Sequence, residues 1–408
     1  MEISEYRLYS ALPVSSMQGA WAEIDLSALA NNYRKVRDLV ISRAPNTRMI
    51  AVVKADAYGH GAPACVRTLL KEGCDFFAVA SLAEALLVHR VCAENKQQVS
   101  ILILGYTHPC HVKELASPEL IQTLLSAEHA YSLQQAAKEE GVTVRTHIAV
   151  DSGMNRIGFS AGSPEELSLS AKEIASVCEF SHLRVEGMFS HFAAADLPQD
   201  STGADFTELQ YRRYQALKQR LEEEHAVKIP FHHFANSAAT VCGNTPWLMD
   251  GVRAGIVLYG SNPCKQCQAL SLSPVMKLKT RIVHLHTLSP GEPLGYGCTF
   301  SADTPRLIAT LPIGYADGFL RKYQGATVTI YHDGIAYSAS VVGRICMDQC
   351  MIDVTNLPAA VGDEVVLFGN SPEELSRLSA SAETIDYETL CLISSRVPRI
   401  YSDVKMRK

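Results

Sequence analysis

Short β-branched runs alternate with helical stretches from about residue 50 to 260, and a turn-punctuated β pattern takes over after residue 272. Together these predict an α/β chain: a (β/α)8 TIM-type barrel followed by a mainly β C-terminal domain. Eight runs qualify as barrel strands: 50–53, 76–80, 100–104, 120–125, 147–150, 185–190, 231–235 and 255–258. Between them, residues 82–94, 130–140, 165–177 and 207–225 carry helical periodicity, with charges on one face and lengths too great for strands. Closure of the barrel rests on the fourth run, 120–125. Without it the same elements form an open doubly wound sheet.

Beyond the barrel, residues 277–286, 306–312, 326–332, 336–342, 350–354 and 364–368 are strand-like and separated by Ser-Pro-Gly, Asp-Gly and Val-Gly turns. One helix near 371–379 and a last stretch through Tyr401 complete the pattern. The expected organisation is an N-terminal arm (1–19), the barrel (20–272) and the β domain (273–408).

Composition narrows the function classes. A chain of 408 residues with 47% apolar and 20% charged residues can fill two cores. Net charge is −6, with no basic stripe and no aromatics interleaved among Lys or Arg clusters, so nucleic acid is not an expected partner. No apolar run reaches the roughly 20 residues that span a bilayer, and residues 1–19 lack the layout of a secretory signal, so a cytoplasmic protein without membrane contact is expected. The 12 cysteines are scattered, mostly within apolar runs, and read as reduced. Cys264 and Cys267 form a lone C-x-x-C after Pro263, which lacks a second ligand pair and reads as a surface turn, so no metal site is expected.

The chemistry begins at Lys54. It closes the apolar run Ile50-Ala51-Val52-Val53 and opens a polar, glycine-containing turn, which places an amine at the carboxyl end of a buried strand, where β/α proteins carry their active sites. Other strand ends supply Tyr58, Arg156, His191, Asn236, Ser237 and Arg253 to the same mouth. The loops after strands seven and eight, Asn236-Ser237-Ala238-Ala239 and Arg253-Ala254-Gly255-Ile256, offer a hydroxyl and free backbone N–H groups, the makings of a phosphate cradle. A lysine facing such a cradle suggests pyridoxal 5'-phosphate, which needs an amine for covalent attachment and an anchor for its dianion. Taken singly, His191 reads sooner as a core histidine and Tyr296 as a strand tyrosine than as active-site residues.

At this point the chain resembles the alanine racemases of pyridoxal-phosphate fold type III over nearly its whole length. Ala51-Val52-Val53-Lys54-Ala55-Asp56-Ala57-Tyr58-Gly59-His60-Gly61 is similar to that family's cofactor-attachment signature. Asp151-Ser152-Gly153-Met154-Asn155-Arg156, Ser190-His191-Phe192, Ala235-Asn236-Ser237-Ala238, Gly295-Tyr296-Gly297, Gly314-Tyr315-Ala316-Asp317-Gly318 and Gly343-Arg344-Ile345-Cys346-Met347-Asp348-Gln349 follow in order.

The resemblance implies a racemase that interconverts L- and D-alanine and supplies D-alanine for peptidoglycan. In it Lys54 carries the cofactor and acts as one acid/base, and Tyr296 acts as the other from the partner subunit of a homodimer. Tyr58, Ser237, the Gly255 and Ile256 amides and Tyr387 are implied to hold the phosphate, with Asn236 beside them and Leu104 packed near the cofactor. Arg253 would face the pyridine nitrogen, oriented by His191. Arg156 would bind the phenolic oxygen and, with the Met347 amide, the substrate carboxylate.

Cys346 reads as a volume filler, and Arg321 and Asp348 as supporting charges or plain surface residues. One departure stands out: where many family members have a lysine that supports the arginine, this sequence has Ala149, so Arg156 needs another anion, and Asn155 replaces a common glycine. Alternatives on related scaffolds are a serine or broad-specificity racemase, against which Tyr387 speaks, and a decarboxylase, against which Arg253 speaks. A non-catalytic pyridoxal-phosphate carrier would lack the β domain and the second base.

Overall fold

The computed structural model describes residues 19–197, 202–264 and 270–402. The arm expected at 1–19 therefore lies outside the described residues but for Gly19, as does Cys267 of the C-x-x-C.

The first strand, β1 (Ala20–Asp25), ends in Asp25, whose Oδ1 accepts the N–H groups of Ser27 and Ala28 at 2.9 Å and starts the helix Leu26–Arg43. The barrel follows: β2 (Arg48–Val52), β3 (Phe76–Val79), β4 (Ser100–Ile103), β5 (Leu120–Leu124), β6 (Val144–Asp151), a two-residue β7 (Phe159–Ser160) outside the ring, β8 (Leu183–Phe189), β9 (Phe231–His233) and β10 (Gly251–Ala254). All neighbours are parallel. β5 pairs with both β4 and β6, and β10 pairs back to β2 from Gly251↔Arg48 to Ala254↔Ala51, so eight strands close. The fourth run expected from the sequence is thus the strand on which closure depends.

The helices between strands start at readable caps. Ser163 and Glu166 form a reciprocal capping box with Pro164 in the first turn of Pro164–Cys178. Ser81 caps Leu82–Glu94.

The barrel interior is a packed core. Phe76, Phe231, Phe189, His147 and His233 stack around one another at 4.7–6.2 Å between ring centroids, and Arg48 lies 5.0 Å over Phe76. Two positions need glycine for this: a Cβ at Gly187 would stand 2.6 Å from the His147 ring, and one at Gly251 2.6 Å from Phe231 Cζ.

The second sheet comprises β11 (Met276–Arg281), β12 (His284–Leu288), β13 (Arg306–Leu311), β14 (Thr327–His332), β15 (Ile335–Val342), β16 (Cys350–Asp353), β17 (Glu364–Phe368) and β18 (Arg399–Ser402). Its order is β12-β13-β16-β15-β14-β17-β11-β1-β18. Helices Pro372–Ser381 and Asp386–Cys391 lie between β17 and β18.

Three expectations need correction. The eighth barrel strand is 251–254 rather than 255–258: Gly255 breaks the strand, and Ile256–Tyr259 forms a 3-10 turn whose full burial gives it a strand-like composition. The run 277–286 is two strands. Residues 20–25, expected within the barrel domain, form β1 in the second sheet, antiparallel to β11 and parallel to β18.

The join between the two parts turns on Asn32, which is fully buried. Its Nδ2 donates to Leu258 O (3.1 Å) and Ser273 O (2.8 Å), and its Oδ1 accepts Ser273 N (3.0 Å). Asn32→Ala should cost about 2–4 kcal/mol, because the backbone groups it satisfies stay buried. Urea unfolding checks this, and a loss under about 0.5 kcal/mol would contradict the linkage.

Candidate active site at the barrel mouth

Because all eight strands run the same way, the residues just past their ends share one mouth. Lys54 follows β2, Leu104 follows β4, Arg156 lies in the loop after β6, His191 follows β8, Asn236 and Ser237 follow β9, and Gly255 follows β10. Arg253 lies within β10.

The Lys54 amine is held below the ordinary lysine pKa by burial first and then by the charge of Arg156, with Arg253 adding to the effect and Glu84 opposing it. Glu84 is committed elsewhere: its Oε1 accepts Ala55 N and its Oε2 accepts Ala80 N, both at 2.7 Å. Ser81-x-x-Glu84 reads as a capping box, yet this carboxylate pins the backbone beside Lys54 instead.

Arg253 is buried and fully engaged. Nη1 donates to His233 Nδ1 (2.8 Å) and His233 O (3.1 Å); Nη2 donates to Ser190 O (2.6 Å), Phe234 O (3.0 Å) and His191 Nδ1 (3.1 Å). A guanidinium has no acceptor, so both histidines must present a bare Nδ1 and carry their proton on Nε2. His233 Nε2 then donates to His147 Nδ1 at 3.0 Å. Burial, with the charge of Arg253 next, lowers His191 and His233 well below the usual histidine range, and burial first, then Arg145, lowers His147 to about 3. The rings are neutral. Burial also brings Arg253 down to about 9, which leaves it charged at neutral pH.

Opposite, three groups converge. Ser237 Oγ accepts Gly255 N at 2.9 Å, leaving its own proton free. A Cβ at Gly255 would stand 2.4 Å from Tyr58 Oη and 3.5 Å from Ser237 Oγ. Two hydroxyl donors therefore meet where only glycine fits, beside the Ile256 N–H at the start of a 3-10 turn. Asn236 caps the helix Ser237–Cys242 through Ala239 N (3.0 Å), so its role is to set Ser237. The Tyr387 ring lies 6.0 Å from that of Tyr58, on the helix Asp386–Cys391. This constellation can receive an anion near the hydroxyls and a planar group between Lys54 and Arg253.

Residues 24–263 match the family model described as the alanine racemase N-terminal domain, and residues 275–401 the C-terminal domain. The chain belongs to the alanine racemase family. Alanine racemase 1 of Clostridium acetobutylicum is 39% identical over 387 residues, 93% of this chain and 95% of that one. The alanine racemase of Methanococcus maripaludis is 37% identical, covering 93% and 98% of the two chains. The solved alanine racemase of Clostridium difficile 630 aligns with a TM-score of 0.83 at 36% identity over 95% and 96% of the chains. That of Bacillus anthracis, with bound L-Ala-P, has a TM-score of 0.80 at 31% identity over 95% and 96%.

Other residues expected at an alanine racemase site lie on the β domain. Tyr296 is 68% exposed on a 3-10 turn entered through Gly295, and Met347 is 53% exposed. Residues 343–347 join them: a Cβ at Gly297 would meet Arg344 Nη1 at 2.5 Å, while Cys346 O and Met347 O accept Tyr315 N and Ala316 N at 3.0 Å. Cys346 is partly buried, Asp348 pairs with Arg396 at 2.8 Å, and Arg321 is exposed at the start of a 3-10 turn.

Arg156 is exposed, its loop shaped by Asp151, which accepts the N–H groups of Gly153, Asn155 and Arg156 at 2.9–3.0 Å. Asn155 has a φ of 55° there, a conformation asparagine tolerates. Ala149 is buried, and among the described residues Arg156 forms no ion pair.

Sequence reasoning missed His147, His233 and Glu84. The alternation of Phe231 and His233 along one strand face was the available signal for the second. If the cradle receives an anion, Gly255→Ala should weaken inorganic phosphate or phosphoester binding at least about tenfold by filling the point of convergence. Isothermal titration checks it; unchanged affinity would move the anion site elsewhere.

Proposed function

We propose that this chain interconverts L- and D-alanine with pyridoxal 5'-phosphate held at the barrel mouth, supplying D-alanine for peptidoglycan in the cytoplasm. The convergence of Tyr58 Oη, Ser237 Oγ and the Gly255 backbone at the same mouth as Lys54, whose pKa is lowered chiefly by burial, carries this reading, because pyridoxal phosphate needs both donors for its dianion and an amine for its aldehyde. The donor chemistry fits the cofactor: hydroxyls and amides for a dianion, a cation for the ring nitrogen, an amine for the carbonyl. The described cysteines are free, in keeping with a reducing compartment, and no described helix is long and apolar enough to cross a membrane.

When bound, pyridoxal phosphate takes up part of the electron pair left on Cα as a proton departs. The protein does the rest. Lys54, its pKa lowered by burial and by neighbouring cations, accepts the Cα proton on one face. Tyr296 returns a proton to the other face, since inversion requires two groups on opposite sides. Arg253, its Nη groups held by five acceptors, would face the cofactor's ring nitrogen without readily giving it a proton, which would leave the ring a weaker electron sink and disfavour side reactions that need a long-lived carbanion. Arg156 and the Met347 amide take the carboxylate.

Tyr296 and Met347 stand exposed on a separate domain, which favours their use at the barrel of a second copy in a homodimer with shared sites. Tyr387 beside the phosphate leaves room for a methyl group and little for a hydroxymethyl, so alanine is preferred to serine.

Borohydride reduction of the loaded protein should add the cofactor's mass to the peptide that contains Lys54, and Lys54→Ala should abolish it. In D2O, Tyr296→Phe should lower kcat at least about a hundredfold yet still exchange the Cα proton of one enantiomer. Cofactor trapped on another lysine, or equal exchange with both enantiomers, would contradict the assignment.

A further inference from the structure

The most strained backbone in the described chain begins one residue after Lys54. Ala55, Asp56, Ala57 and Tyr58 have φ of 52°, 52°, 55° and 54°, so four consecutive residues bearing a Cβ form a left-handed turn, followed by Gly59 at 78°. Each such residue costs about 1–2 kcal/mol relative to the right-handed form. Compensating bonds must hold the segment.

Most are accounted for. Ala57 N donates to Val53 O and Gly61 N to Asp56 O, both at 2.9 Å; Asp56 Oδ1 accepts Ala62 N at 2.7 Å; Arg399 Nε donates to Gly59 O at 2.8 Å. Ala57 O accepts the His60 backbone N–H at 3.1 Å, and the carbonyls of Ala57 and Tyr58 both converge on His60 Nδ1, each at 2.9 Å. His60 is fully buried and its ring rests 4.6 Å from that of Tyr259. Tyr259 packs 4.9 Å from Tyr58 and donates to Val52 O at 3.1 Å, at the end of β2.

We propose that His60 is a positioning residue: a neutral imidazole with its proton on Nδ1 that clamps the left-handed turn and so fixes where Tyr58 presents its hydroxyl and Lys54 its amine. Carbonyl oxygens only accept, so the Nδ1 between two of them must carry hydrogen. The other tautomer would set a lone pair against both carbonyls and put a proton on Nε2, which is buried without a partner. An imidazolium would bury a charge whose named charged neighbour, Arg399, is also positive. His60 takes no part in proton transfer, since Nε2 meets no polar group. Its value lies in the shape it imposes on the turn Ala55–Gly59, which sets Tyr58 of the anion cradle relative to Lys54.

The geometry stands by itself; its consequence for cofactor binding rests on the proposed function. The test uses the full-length apoprotein, 15N-labelled at histidine, and three variants. His60→Asn places an amide N–H where Nδ1 stands, His60→Gln moves it towards Nε2, and His60→Phe keeps the ring against Tyr259 without a donor. At neutral pH the His60 signal, assigned by its loss in His60→Asn, should show the Nδ1–H tautomer. Titrated with pyridoxal phosphate, His60→Phe and His60→Gln should bind about thirtyfold more weakly, as expected for two lost hydrogen bonds, and His60→Asn within about threefold of the original. The visible spectrum and kcat should follow the same order, with thermal unfolding separating this from global loss of fold. An Nε2–H tautomer in the unmodified protein would overturn the proposal even if every variant misfolds, as would tight binding by His60→Phe or equal damage by Asn and Phe. Failure of the unmodified protein to bind pyridoxal phosphate would sink the proposed function and leave the tautomer measurement standing.

Discussion

The barrel mouth is built around one amine whose hold on its proton is weakened. The surroundings of Lys54 act together to that end: burial dominates, and Arg156 and Arg253 add like-charge repulsion. A free carboxylate nearby would undo this by ion pairing. The one that is close, Glu84, spends both oxygens on backbone N–H groups at either side of the lysine turn. Glu84 still opposes the lowering of the Lys54 pKa, and its two bonds fix the strand end from which Lys54 projects.

Arg253 poses the complementary problem, a buried cation that must remain one. Three backbone carbonyls and two imidazole nitrogens supply its acceptors, and the protons of the chain Arg253–His233–His147 all point away from the guanidinium. The arrangement reaches deep into the barrel, because the His147 ring sits where Gly187 lacks a side chain. Core packing and the electrostatics of the barrel mouth are one structure here: filling the space at Gly187 would disturb a ring two hydrogen bonds from Arg253.

Much of this was legible in the sequence. Periodicity gave the β/α alternation, including the closing strand at 120–124, and turn chemistry gave the antiparallel strands of the second domain. Strand ends gathered Lys54, Ser237 and Arg253 at one mouth. Other features depend on contacts far apart in sequence. The apolar run 255–258 could not be told from a strand by composition, since a fully buried 3-10 turn is equally apolar. Strand β1 carries no sign that its partners lie more than 250 residues later, at Met276–Arg281 and Arg399–Ser402. The left-handed turn at 55–58 runs against the preferences of alanine and tyrosine, and only its tertiary clamps hold it. Nothing in the sequence around Glu84 shows that its carboxylate pins the strand end beside Lys54.

In the proposed mechanism Lys54 alone could remove a proton from one face of Cα but could not return one to the other. There Tyr296 is the second group, and it stands 68% exposed on the β domain. The most direct measurement mixes Lys54→Ala chains with Tyr296→Phe chains under conditions that exchange subunits. Each mixed dimer would then hold one site with both groups intact, so activity should recover from near zero towards about a quarter of the unmodified level, half the dimers being mixed and each having one working site of two. No recovery despite demonstrated subunit exchange would mean that both proton-transfer groups serve a site within a single chain, and the shared-site account would be wrong.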